Sequence, residues 1–188
     1  MSLRERPTLP VVPRPMKSQA YFKYLEFDPP SIRSLQDIEM IAEKLRAAYQ
    51  RAKIRDLYDL HRFAATPFDS ELLRGLLVLK LWQVQDPFVP DVFFERLRGG
   101  DYDWDDLRRL ITPSEHIDQD VVVRTVESRF AFLRDLSELE LQVVGDAKGG
   151  WNTPLGGRLR QELLRRLRGL TAEPREKDCR ALWGPPTR

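Results

Sequence analysis

The chain has 188 residues, 41% hydrophobic and 32% charged, a composition that suits one ordinary domain and is too apolar for wholesale disorder. One cysteine and two histidines exclude a disulfide framework and a zinc cluster of the usual ligands, so any metal has to be held by carboxylates. A net charge of +2 does not argue for nucleic acid without a local patch, and with no signal peptide and no run near the roughly 18 apolar residues of a membrane span, a soluble cytoplasmic protein is expected.

Taken in chain order, residues 7 to 15 carry Pro7, Pro10, Pro13 and Pro15, which reads as an extended edge and cannot be a central strand. Gln19 to Phe27 then alternates Ala20, Phe22 and Tyr24 with Tyr21, Lys23 and Leu25, the pattern of an aromatic strand, and Asp28-Pro29-Pro30 stops it. A lone strand cannot satisfy its own backbone. This one is expected to belong to a sheet whose other members lie outside the chain, and strand exchange in a homodimer is one way to supply them.

From Ser34 the pattern turns helical. Ser34-Leu35-Gln36-Asp37 has the form of a capping box, and Ile38, Ile41, Ala42, Leu45, Ala48 and Tyr49 follow at the helical period. A second helix is predicted over Arg55 to Ala65, with Leu57, Tyr58, His61, Ala64 and Ala65 on its apolar face. Asp69 or Ser70 caps an apolar helix reaching about Gln85, Pro90 to Arg98 makes a short one, and Asp103 to Ile111 another. Asp120 to Leu136 and Glu138 to Val144 follow with a break near Ser137; Gly145 to Gly150 reads as a loop, Pro154 to Leu170 as the last helix, and 173–188 as a mobile tail. The expected architecture is mainly α, with an extended or β segment over 1–33, a helical domain over 34–172 and the tail. Trp82, Phe88, Phe93 and Phe94 are expected in the core.

Lys44 falls on the margin of the first helix's apolar stripe, and in a chain with only seven lysines among 31 basic residues, Lys44 and Lys80 stand out as compact amines kept where arginine is the habit. Asp56 and Asp59 lie 12 and 15 residues downstream, three apart and so on one side of the second helix. A short turn brings all three to one cleft. Two carboxylates beside an ammonium suit phosphoryl or nucleotidyl transfer: the acids hold a metal ion or orient the attacking hydroxyl, and the amine neutralises triphosphate charge. The plainer reading is acid at a helix N-terminus, with Arg55 and Asp59 as an i,i+4 pair.

The run Ile41-Ala42-Glu43-Lys44-Leu45-Arg46-Ala47-Ala48-Tyr49-Gln50-Arg51, continued by Arg55-Asp56-Leu57-Tyr58-Asp59-Leu60, resembles the signature of the AbiEii/AbiGii nucleotidyltransferase toxin family. The resemblance covers residues 34–65. It implies transfer of a nucleotide from a nucleoside triphosphate to an acceptor such as tRNA, by the toxin of a toxin–antitoxin pair, with Mg²⁺ as cofactor and an antitoxin protein as partner. It places Lys44 and either Asp56 or Asp59 in the active site, with Arg51 and Arg55 as candidates for substrate phosphates. The family's upstream Gly-Ser and Asp-x-Asp elements have no counterpart before residue 34, and Asp101-Tyr102-Asp103 has the spelling in the wrong place. The resemblance therefore implies the C-terminal, helical part of such a protein, with no complete metal site, no tight NTP binding and no activity alone.

The last helix carries Arg158, Arg160, Arg165 and Arg166 around a leucine stripe, a candidate surface for an RNA backbone or, more plainly, a solvated face. The competing class is a non-enzymatic helical module that binds RNA or a protein partner.

Overall fold

The computed structural model describes residues 7–16, 19–24, 27–109, 111, 117–147 and 154–172. The expected tail, Cys179, His116, Trp151 and Trp183 lie outside the described residues. Its elements are a two-stranded antiparallel sheet of β1 (Val12–Arg14) and β2 (Ile32–Ser34), then eight α-helices: α1 (Asp37–Arg51), α2 (Ile54–Phe63), α3 (Ser70–Gln83), α4 (Pro90–Gly99), α5 (Trp104–Arg108), α6 (Gln119–Arg129), α7 (Glu138–Asp146) and α8 (Pro154–Ala172).

The N-terminal elements differ from the sequence expectation. Pairing runs Val12 to Ser34, Pro13 to Arg33 and Arg14 to Ile32, so the proline-rich stretch supplies the strand. A two-stranded sheet leaves one edge of β1 unpaired, where a proline's missing N–H costs nothing. Gln19 to Phe27 instead contains a 3-10 turn, Ala20–Tyr24. Its aromatics alternate without a face to pack on: Tyr21 is 59% and Tyr24 76% exposed. The dimer expected from exchange of this segment thus has no strand among the described residues to exchange.

Through the end of β1 the chain forms a strap fastened to the start of the helical region. Leu9 sits in the common core, the backbone N–H groups of Thr8 and Leu9 donate to the Glu39 carboxylate at 2.9 and 2.8 Å, Gln36 Nε2 donates to the Pro10 carbonyl, and Arg14 pairs with Asp37. The expected capping box at Ser34 does not form, because Ser34 is the last residue of β2 and α1 starts behind Gln36 without a side-chain cap.

The rest follows helical logic. α3 is the central helix, buried from Leu72 to Trp82 except at Arg74, as expected of so apolar a run. It packs against α1 on one side and α7 and α8 on the other. Asp69 caps it by accepting from Leu72 N at 2.8 Å. α2 packs on α1, α5 and α6. The break near Ser137 is real: α6 ends at Arg129, a 3-10 turn spans Ala131–Arg134, and Ser137 with Glu140 forms a full capping box that starts α7. Gly145, expected in a loop, is still in α7. Phe88, Phe93 and Phe94 are buried, and Trp82 is 9% exposed with its indole N–H on Asp146.

Two glycines let α8 lie close. A Cβ at Gly156 would meet the Trp82 ring at 2.5 Å, and one at Gly75 would meet Leu163 Cδ2 at 2.6 Å. Arg166 closes the contact, forking onto both oxygens of Asp69 at 2.7 and 2.8 Å and reaching Glu71 as well.

Candidate nucleotidyl-transfer site on the first two helices

α1 and α2 are joined by a two-residue turn. Ala52 takes the left-handed conformation (φ 42°, ψ 48°) and donates its N–H back to Ala48 O, and Lys53 is extended before α2 begins. This tight turn folds α2 back along α1, which packs against it. Side chains from the middle of α1, the end of α1 and the first turns of α2 meet as a result.

Lys44, Asp56 and Asp59 are brought together. Lys44 Nζ lies 2.6 Å from Asp59 Oδ2 and 3.6 Å from Asp56 Oδ1. The two acids differ in setting: the Asp56 side chain is 2% exposed and that of Asp59 40%. Asp56 is also clamped by Arg51, Nε to Oδ2 at 2.7 Å and Nη2 to Oδ1 at 3.0 Å. A buried carboxylate with two cations is the fixed centre of this cluster, and Asp59 is its reachable edge. The hydrogen bond to Asp59 holds the Lys44 ammonium above its ordinary range; partial burial works against it, and the charges of Asp59 and Asp56 assist. Lys44 is therefore held as a positive charge at neutral pH.

The arginines divide. Arg51 belongs to the cluster through Asp56. Arg55 turns away and forks onto Asp106 of α5 at 3.0 and 3.1 Å, so the expected Arg55–Asp59 pair is replaced on both sides, by Asp106 for the arginine and Lys44 for the acid. Arg158, Arg160 and Arg165 stand exposed on α8, which packs on α3 and α7, whereas Arg166 is spent on Asp69 and Glu71. Asp101-Tyr102-Asp103 lies ahead of a short helix, where Asp103 caps α5.

Magnesium does not fit this arrangement. It needs several oxygen ligands around one point, but both oxygens of Asp56 face cations and Asp59 faces Lys44. Among the described residues no group of three or more His, Cys, Asp or Glu is placed to hold a metal.

A second charged cluster is centred on Lys80, whose partners the sequence did not mark. Lys80, 3% exposed, reaches from α3 to Glu39 at 2.5 Å and Glu43 at 2.8 Å. Glu43 precedes Lys44 and also pairs with Arg46. The one signal in the sequence was a lysine inside the most apolar run of the chain.

Comparison with known proteins identifies the architecture. Residues 1–123, well over half of the chain, match the family model described as nucleotidyl transferase AbiEii toxin, type IV toxin–antitoxin system. The chain belongs to the AbiEii nucleotidyltransferase toxin family. The AbiEii match extends beyond residues 34–65 to include the N-terminal strap, the sheet and the helices through α5. Among solved structures, the chain is similar to MenT4, a nucleotidyltransferase toxin of Mycobacterium tuberculosis H37Rv, at 28% identity and a TM-score of 0.66 over 89% of this chain and 56% of MenT4. The chain thus spans little more than half the length of MenT4. Comparison with curated proteins finds no match. No helix among the described residues is long and apolar enough to cross a membrane.

Proposed function

We propose that this chain is the helical lobe of an AbiEii-type nucleotidyltransferase, a toxin that transfers a nucleotide from a nucleoside triphosphate to an acceptor such as tRNA and is paired with an antitoxin protein. The observation that carries the reading is the Lys44 ammonium 2.6 Å from a carboxylate that is still 40% exposed. Such a pair presents a fixed cation for triphosphate charge and an acid within reach of an acceptor hydroxyl. Of the two acids, Asp59 is the one assigned to substrate. Asp56, closed in by Arg51 and Lys44, is a positioning residue.

The metal-binding carboxylates and the Gly-Ser cradle for the triphosphate are assigned to polypeptide outside these 188 residues. The 188-residue chain alone is then inactive. Two tests bear on this. Incorporation of labelled nucleotide into tRNA by the purified chain is expected to be nil, and incorporation lost on Lys44→Ala would overturn the inactivity. The DNA upstream of codon 1 is expected to encode Gly-Ser and Asp-x-Asp in frame; a stop codon followed by an independent start would count against a lobe of one polypeptide. In the longer protein, Lys44→Ala and Asp59→Ala are each expected to lower incorporation by roughly 100-fold or more, the size of losing one preorganised charge at a reacting centre.

A further inference from the structure

The exposed side of α8 carries a single-sign stripe. At about 100° per residue, Arg158, Gln161, Arg165 and Arg168 fall within roughly 80° of one another, opposite the face that buries Gly156, Leu159 and Leu163. Arg158, Arg165 and Arg168 are exposed, and none forms an ion pair with another described residue; Arg168 bonds only the Leu164 carbonyl of its own helix. Gly157 and Gly169 flank the stripe, and a Cβ on either would meet nothing within 4 Å, so no described residue covers this face. The helix has one acid, Glu162, at the margin of the stripe. Arg166, 39% exposed, is already forked onto Asp69 and paired with Glu71, which ties α8 to α3 and leaves the other arginines without a structural task.

We infer that Arg158, Arg165 and Arg168 form a docking surface for the phosphate backbone of RNA, and that Arg166 serves instead to fix this surface on the domain. Charge complementarity selects the partner: the guanidinium is shaped for phosphate, and three of them spread over roughly 15 Å of helix face several phosphates of one strand. A protein partner would be anchored by buried aromatic or aliphatic side chains, and the stripe offers none. That the polyanion is the acceptor RNA rests on the transfer reaction proposed above; the phosphate-binding surface itself does not.

The test is a fluorescence anisotropy titration of the purified chain with labelled tRNA and with a mixed-sequence single-stranded RNA, in the absence of nucleotide and at several salt concentrations. Arg158→Gln/Arg165→Gln/Arg168→Gln is expected to weaken binding at least about tenfold at low salt and to reduce the slope of log K against log salt by about 2 to 3, one per lost phosphate contact. Circular dichroism and thermal unfolding should remain as in the parent, since all three side chains are exposed. Arg108→Gln, at an exposed arginine of α5 already paired with Asp105, should bind as the parent does. Parent affinity and slope in the triple variant would overturn the inference, and so would loss of binding to an antitoxin protein with RNA binding intact. Since no nucleotide is present, failure here is separate from failure of the transfer reaction, which is read by incorporation.

Discussion

Arg51 grips Asp56 with two parallel hydrogen bonds of 2.7 and 3.0 Å across the left-handed turn at Ala52. This clamp sets the angle at which α2 leaves α1, and hence where Asp59, one turn further on, meets Lys44. Local backbone geometry and the candidate site are coupled through one buried acid.

Asp56 and Asp59 should therefore separate in stability. Asp56→Ala removes the shared partner of two cations and leaves a hole at a side chain 2% exposed. A loss of about 2 kcal/mol is expected, from charge-assisted hydrogen bonds to a buried group, or a fall of about 4 to 8 °C in Tm for a domain of this size. Asp59→Ala, at a half-exposed pair, should cost less than about 1 kcal/mol. Urea unfolding of both variants checks the order, and equal losses would contradict the distinction between positioning and substrate-facing acid.

The pH dependence of Lys44 has a defined sign. Its folded-state pKa is raised above the ordinary 10.5, so its contribution to stability is complete below 10.5 and is lost as pH rises through the folded value. The stability difference between the parent and Lys44→Met should be constant from neutral pH to about 10.5 and shrink above it. Denaturant titrations at increasing pH measure this, and a difference that grows with alkalinity would be the wrong sign.

Lys80 is a buried cation held by two carboxylates of α1. Its loss in Lys80→Met leaves the Glu39 carboxylate, 1% exposed, with its backbone N–H donors but without its cation, and about 3 kcal/mol of destabilisation is expected. Lys80→Met/Glu39→Gln should recover part of it, since the amide is neutral and its carbonyl still accepts from the strap. Hydrogen exchange at the Thr8 and Leu9 amides, which donate to Glu39, should quicken in the single variant more than in the double.

Gly156→Ala drives a Cβ into the Trp82 ring, whereas Gly75→Ala meets the end of a leucine side chain. The ring cannot yield, so Gly156→Ala should cost about 1 to 3 kcal/mol by overpacking and loosen α8. At Gly75 the gain in helix propensity of roughly 1 kcal/mol offsets a movable clash, and the net change should be small. Proteolysis between α7 and α8 reports the difference, and equal sensitivity of the two variants would show that α8 does not depend on the approach at Trp82.

The helices were legible because their signals are local. The 3.6-residue period located α1 and α2, Asp69 or Ser70 marked the start of α3 and a break near Ser137 that of α7, and the spacing of Lys44, Asp56 and Asp59 put three charges on facing sides of a short turn. The aromatic alternation of Gln19 to Phe27 misled for the same reason: period two describes a strand only when one face is covered, and coverage is not a local property.

By itself, then, the sequence determined a helical chain with Lys44 beside two acids and a family signature laid over them, because periodicity and caps act within a few residues. Only the tertiary structure decided that Asp56 is buried and Asp59 reachable, that Arg55 belongs to Asp106, that Arg166 binds α8 to α3, and that Lys80 holds the N-terminal strap through Glu39. Three of those pairings, Lys80 with Glu39, Arg55 with Asp106 and Arg166 with Asp69, join residues 41, 51 and 97 positions apart. Burial and charge pairing at such range arise from packing, and the chain must be folded before they exist.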